Sequence, residues 1–164
     1  MKNCKTIFAI LFIILLSISC SNDDNDSTPL TTEGKFFKAK IDGVQFSATV
    51  PEFGATKSGN TIIIACVQGI HKFQLKINNI IDNGVGSYSV PTTTTNDIVL
   101  TYENDVTVYK AGDCDDSIGF LTISSITANE ITGAFGYRGG NTSDCSQPNI
   151  NITEGAFKAI LASN

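Results

Sequence analysis

Phe37-Lys38-Ala39-Lys40-Ile41-Asp42-Gly43-Val44-Gln45-Phe46-Ser47-Ala48-Thr49-Val50 decides the fold class. Val44, Phe46, Ala48 and Val50 alternate with Gln45, Ser47 and Thr49, a period of two that puts one face on a core and the other in water. Asp42-Gly43 separates this run from Lys35–Ile41. It is the pair a two-residue type I′ turn selects, because both central residues need positive φ. The stretch therefore reads as a β-hairpin, and the same period recurs along the chain. Phe73, Leu75 and Ile77 alternate with Lys72, Gln74 and Lys76, Val106 and Val108 flank Thr107, and Phe135 and Tyr137 alternate with Ala134 and Gly136. Thr61–Val67 is apolar at successive positions, which predicts a central strand covered on both faces.

Turn chemistry divides these runs. Asn104-Asp105 is expected to link Ile98–Glu103 to Val106–Ala111, and Ala128-Asn129-Glu130 to close a hairpin between Ile118–Thr127 and Ile131–Arg138. Gly86–Val90 and a last strand, Ile152–Leu161, complete the set. Pro51 and Pro91 end strands, where a missing N–H costs least, and Thr92–Thr95 reads as a loop. With no internal repeat and no helix of useful length after residue 20, the expectation is all-β: an antiparallel β-sandwich or a small closed β-barrel of about nine or ten strands. Phe46, Ile63, Phe73, Phe120, Phe135 and Phe157 are the expected core.

The N-terminal segment is different in kind. Lys2 and Lys5 precede the apolar run Ile7–Leu16, and Ser19 then precedes Cys20. A helix of about ten residues covers about 15 Å, half of a hydrocarbon core, so the run does not span a membrane. Positive start, short apolar centre and small residues at the cut form a secretory signal. With cysteine just after the cut, it resembles a bacterial lipoprotein signal whose Cys20 receives lipid. The alternative is an ordinary signal with an incidental cysteine. The expected organisation is a signal peptide over 1–19, a lipidated cysteine and acidic tether over 20–33, and a single all-β domain over 34–164. Loss of Lys2 and Lys5 takes the formal charge from −5 to −7, which repels phosphate backbones and argues against nucleic acid as a partner. Ser21–Thr32 holds Leu30 as its one apolar residue and cannot bury enough surface to fold. Its acids resemble export signals that send lipoproteins of the Bacteroidota to the cell exterior, or are a plain solvated linker. The expected location is the outer membrane, lipid-anchored, on the periplasmic face or the cell surface.

The strings FKAKIDGVQFSA, GFLTIS, ITGAF and ITEGAFKAIL resemble a widespread group of uncharacterised lipoproteins of Bacteroidota, over about Gly34 to Leu161. The resemblance implies an all-β fold with no assigned activity.

Candidate chemistry is sparse. Cys114 and Cys145 sit in polar loops on either side of the Ala128–Glu130 turn, so hairpin pairing brings them together and a disulfide follows in an oxidising compartment. Cys66, in an apolar strand, is expected as a buried free thiol. Asp113, Asp115, Asp116 and Asp144 offer hard oxygen ligands to calcium, although the spacing of a calcium-binding hand is absent and clustered loop acids are usually just solvated. No other cofactor is expected. His71 is the only histidine, which removes a histidine-rich metal centre, and no nucleophile-elbow motif accompanies it. Tyr88, Tyr102, Tyr109 and Tyr137 fit sheet packing better than a binding surface. The leading expectation is a non-enzymatic lipoprotein that binds a protein, a glycan or a small ligand. The alternatives are a weak hydrolase acting through carboxylates such as Glu103 or Asp105, and a lipocalin-like carrier.

Overall fold

The computed structural model describes residues 32–80, 84–90 and 98–163; the expected signal peptide, Cys20, most of the tether and the Thr92–Thr95 loop lie outside these. The described residues form eleven strands: β1 Phe36–Ile41, β2 Val44–Ala48, β3 Phe53–Ser58, β4 Thr61–Gln68, β5 His71–Ile77, β6 Gly86–Val90, β7 Ile98–Asn104, β8 Thr107–Lys110, β9 Gly119–Ile126, β10 Glu130–Asn141 and β11 Ile150–Ser163. The opening hairpin forms as its sequence dictates. Asp42 and Gly43 have φ of 47° and 83°, and Ile41 pairs with Val44 across the turn.

Two layers result, and the two longest strands join them. One layer runs β2-β1-β11-β10-β9-β6 and the other β3-β4-β5-β7-β8. At one corner the end of β11 leaves β1 and runs beside β3, with Leu161 opposite Ala55. At another corner Gly140 and Asn141 of β10 pair with Lys110 and Tyr109 of β8. At about 3.3 Å per residue, strands of 12 and 14 residues are long enough to serve both layers. The hydrogen bonding is ring-like, while β2 and β6 remain as edges. The β11–β3 contact is parallel, while the other described pairings are antiparallel, as expected of a sandwich or small barrel.

Rings fill the space between the layers. Phe37 of β1 lies 5.2 Å from Phe73 of β5 and 6.2 Å from Phe53 of β3, centroid to centroid. Phe46, Phe135, Phe157 and Tyr102 complete the set, all buried. Offset and edge-on rings at these separations add to the gain from burial.

Several expectations need correction. Phe120, expected in the core, is 50% exposed, and Ile63 is only partly covered. In β4 the inward positions are Ile62, Ile64 and Cys66, while Val67 is 53% exposed. That strand is central by hydrogen bonding, between β3 and β5, but covered on one face. The turn after β7 is Asp105-Val106 rather than Asn104-Asp105, since Asn104 pairs with Thr107. Val106 thus sits at a turn, 87% exposed, and Val108 is 36% exposed. Strand β3 has no counterpart among the expected strands; its inward residues are only Phe53 and Ala55.

Candidate functional site

The outer face of the first layer carries a groove of about 530 Å³. Three features of the sequence create it. First, Gly136 of β10 faces outward opposite Phe120 of β9, and a Cβ there would meet Phe120 Cε1 at 2.9 Å and the Ile152 carbonyl oxygen at 3.4 Å. The missing side chain lets the Phe120 ring lie against the β10 backbone, and both residues line the floor of the groove. Second, β11 carries one residue more than its neighbours between Ile152 and Gly155. Phe135 pairs with Gly155 but Tyr137 with Ile152, and Lys38 pairs with Ala156 but Lys40 with Thr153. The bulge centres on Glu154, whose φ is 52°, a left-handed conformation that an L side chain adopts at a cost. Third, Ile118 and Phe120 stand outward on the β9 side, 57% and 50% exposed.

The polar residues of the groove come from β11 and from Arg138 of β10. Asn151 is held in place because its backbone N–H donates to Asp42 Oδ1 at 2.9 Å and its carbonyl accepts from the Asp42 N–H at 2.8 Å. Glu154 accepts from Lys40 Nζ at 2.6 Å, so its charge is compensated. Arg138, the sole arginine of the chain, lines the groove, and its backbone N–H donates to the Ile118 carbonyl at 2.8 Å. Its guanidinium has no ion pair or side-chain hydrogen bond among the described residues. The groove therefore combines an apolar wall with one uncompensated positive charge.

The residues singled out from sequence fall elsewhere. Cys114 and Cys145 form a disulfide with Cα atoms 5.6 Å apart, at the open end of the β9–β10 hairpin as expected. The loop before β9 is organised by Ser117, 2% exposed. Its hydroxyl accepts from the Gly112 and Cys114 N–H groups, each at 2.9 Å, and donates to the Cys114 carbonyl at 2.6 Å. Asp113, Asp115 and Asp116 share a polar recess with Asn149. Asp113, however, is ion-paired with Lys110 at 2.6 Å. Asp144 lines no part of that recess; its carboxylate is taken up by Ser146 and Gln147, hydrogen bonds that hold it below the usual carboxylate range. Among the described residues no group of three or more His, Cys, Asp or Glu side chains is placed to hold a metal ion.

Cys66 is free and buried, and burial, with Glu52 nearby, pushes its thiol up to about 12, so it is no nucleophile at neutral pH. His71 begins β5 and its Nδ1 lies 2.6 Å from Tyr102 Oη, a phenol that burial first, then Tyr109 and Asp42, raise to about 12. No serine stands in that pair. Glu103 is ion-paired with Lys72 in a shallow recess on the outer face of the second layer, where it is the one carboxylate; Asp105 sits in the turn after β7. The groove is hidden in the sequence because Phe120 has the character of a core residue, and it stands outward with Ile118. Their parity with Thr122 and Ser124 is the signal that places them outside.

The structure defines an all-β domain of two joined layers with a recess on one outer face. The chain belongs to the family described as a domain of unknown function (DUF6252), which matches residues 23–161. No curated protein matches the chain, and no solved structure does.

Proposed function

We propose that the protein is a lipid-anchored lipoprotein of the outer membrane whose β domain is a non-enzymatic binding module, with the groove around Gly136 as its ligand site. The observation that carries the reading is the groove itself. It is concave, largely apolar, floored by a glycine, and edged by a few fixed polar groups, the combination small-molecule sites share. Its volume of about 530 Å³ suits a small ligand rather than a protein surface. The ring-filled interior speaks for a module that binds on its surface over a carrier that encloses its cargo. Among the described residues that line its recess Glu103 is the one carboxylate, and it is ion-paired with Lys72, which gives no support to two-carboxylate hydrolysis there. The anchor reading rests on Lys2, Lys5, the run Ile7–Leu16 and Cys20, as does the resemblance to Bacteroidota lipoproteins on its quoted strings.

Two experiments test the halves separately. Metabolic labelling with an alkyne fatty acid should tag the protein, and Cys20→Ala should abolish the tag; a tag that persists contradicts the anchor. A fragment screen by protein-detected NMR on the mature protein should give hits that shift residues 118–120, 136–138 and 151–154. Hits confined to other surfaces, or none, contradict the site.

A further inference from the structure

We infer that the ligand of this groove is a small organic monoanion, with its carboxylate on Arg138 and its apolar or aromatic body against Phe120 and Ile118. The inference rests on the binding-site reading above and adds the chemical class. It starts from charge. Among the described residues two ionised side chains line the groove, Arg138 and Glu154, and Glu154 is matched by Lys40 at 2.6 Å. Arg138 is left as the net charge of the site. A protein this acidic, −5 over the whole chain, has carboxylates in excess, yet none of the described ones pairs with its single arginine.

The geometry around that arginine fits the same class. Its main chain is fixed on both sides, by the Ile118 carbonyl at 2.8 Å and by Asn151 opposite it in the β10–β11 ladder. A guanidinium presents a planar fork that meets a carboxylate with two parallel hydrogen bonds. One uncompensated cation matches one negative charge, which favours a monoanion over a phosphate dianion. On the β9 side Ile118 stands beside Arg138, whose N–H its carbonyl accepts, and Phe120 opposite Gly136, apolar side chains that are 57% and 50% exposed. Arg138 and the apolar pair line the same recess, so one molecule with a charged end and an apolar body touches both.

The test is titration of the mature protein with 4-phenylbutyrate and its neutral isostere 4-phenylbutyramide, followed by protein-detected NMR, on wild type and on Arg138→Gln. A charge-assisted pair contributes enough to separate the two probes by about tenfold or more in Kd. The expected result is that the carboxylate binds at residues 118–120 and 136–138 about tenfold tighter than the amide. Arg138→Gln should bring the two to equal affinity while the amide still binds. Equal affinity of both probes for the wild-type groove, or a carboxylate preference that survives Arg138→Gln, overturns the anion assignment and leaves the groove reading standing. Tighter binding of a neutral oligosaccharide than of the carboxylate has the same meaning. No shift with any probe at about 20 mM, weaker than the millimolar binding worth about 4 kcal/mol, overturns both.

Discussion

Truncating Phe37 to alanine should remove more stability than any change on the outer faces. The side chain is 0% exposed, and its ring is the hub of the core. It meets Phe46 at 6.3 Å and Phe135 at 5.2 Å within its own layer, and Phe53 at 6.2 Å and Phe73 at 5.2 Å in the facing layer. Phe→Ala in a closed core costs about 3–5 kcal/mol, the transfer loss plus the cavity left behind. Four ring partners, each contributing about 0.5–1.5 kcal/mol beyond area, put Phe37→Ala in the upper half of that range. At a urea slope of about 2 kcal/mol per molar, the midpoint should fall by roughly 2 M with the slope unchanged. Phe120→Ala is the matched control. The same atoms leave a half-exposed site, and the cost should stay under about 1 kcal/mol. Equal midpoint shifts for the two variants would refute the assignment of inner and outer faces and, with it, the placement of the groove.

Two further outcomes follow from the same contacts. Glu130 accepts from Lys35 Nζ at 2.6 Å and lies 3.4 Å from Lys158. The Lys35 hydrogen bond, aided by the Lys158 charge, holds the carboxyl below its ordinary value of 4.5. A depressed folded-state pKa contributes stability that is present above the unfolded value and lost as pH falls through the folded one. Wild type should therefore lose stability below about pH 4.5 more steeply than Glu130→Gln, as read by urea midpoints at stepped pH; parallel profiles would contradict the pairing. The Cys114–Cys145 bridge spans a separation of 31 residues, and a loop of that size contributes about 3–4 kcal/mol by restricting the unfolded chain. Cys114→Ser with Cys145→Ser should lose about that much in chemical denaturation, and an unchanged midpoint would show that the bridge constrains nothing.

Much of the fold was legible because local chemistry and tertiary environment agree there. Asp42-Gly43 takes positive φ at both positions, and the flanking strands alternate as the core requires. Where the sequence misled, apolar residues stand at both parities. In β4, Ile63, Ala65 and Val67 are as apolar as Ile62, Ile64 and Cys66, and only the facing layer decides which set is buried. In β9, Phe120 and Leu121 are adjacent and equally apolar; Leu121 is 0% exposed and Phe120 half exposed. Strand β3 is not legible in the sequence because Gly54 and Ala55 carry little β signal, and its place comes from pairing with β4 and with the far end of β11. The groove was illegible for a related reason. It depends on a bulge at Glu154 that appears only when β11 is read against β1 and β10 together. The disulfide was legible because both cysteines flank one recognisable hairpin.

If ligand binds in the outer recess beside Gly136, a side chain added at that glycine should weaken binding. Gly136→Val adds a side chain where a Cβ meets the tip of the Phe120 ring at 2.9 Å and 3.2 Å. That exposed ring can swing aside, so the fold should hold within about 1 kcal/mol. Titration of 4-phenylbutyrate into wild type and Gly136→Val should show affinity falling at least about tenfold, a loss of 1.4 kcal/mol or more, with thermal stability retained. Undiminished affinity in a stably folded Gly136→Val protein would place the ligand elsewhere on the molecule.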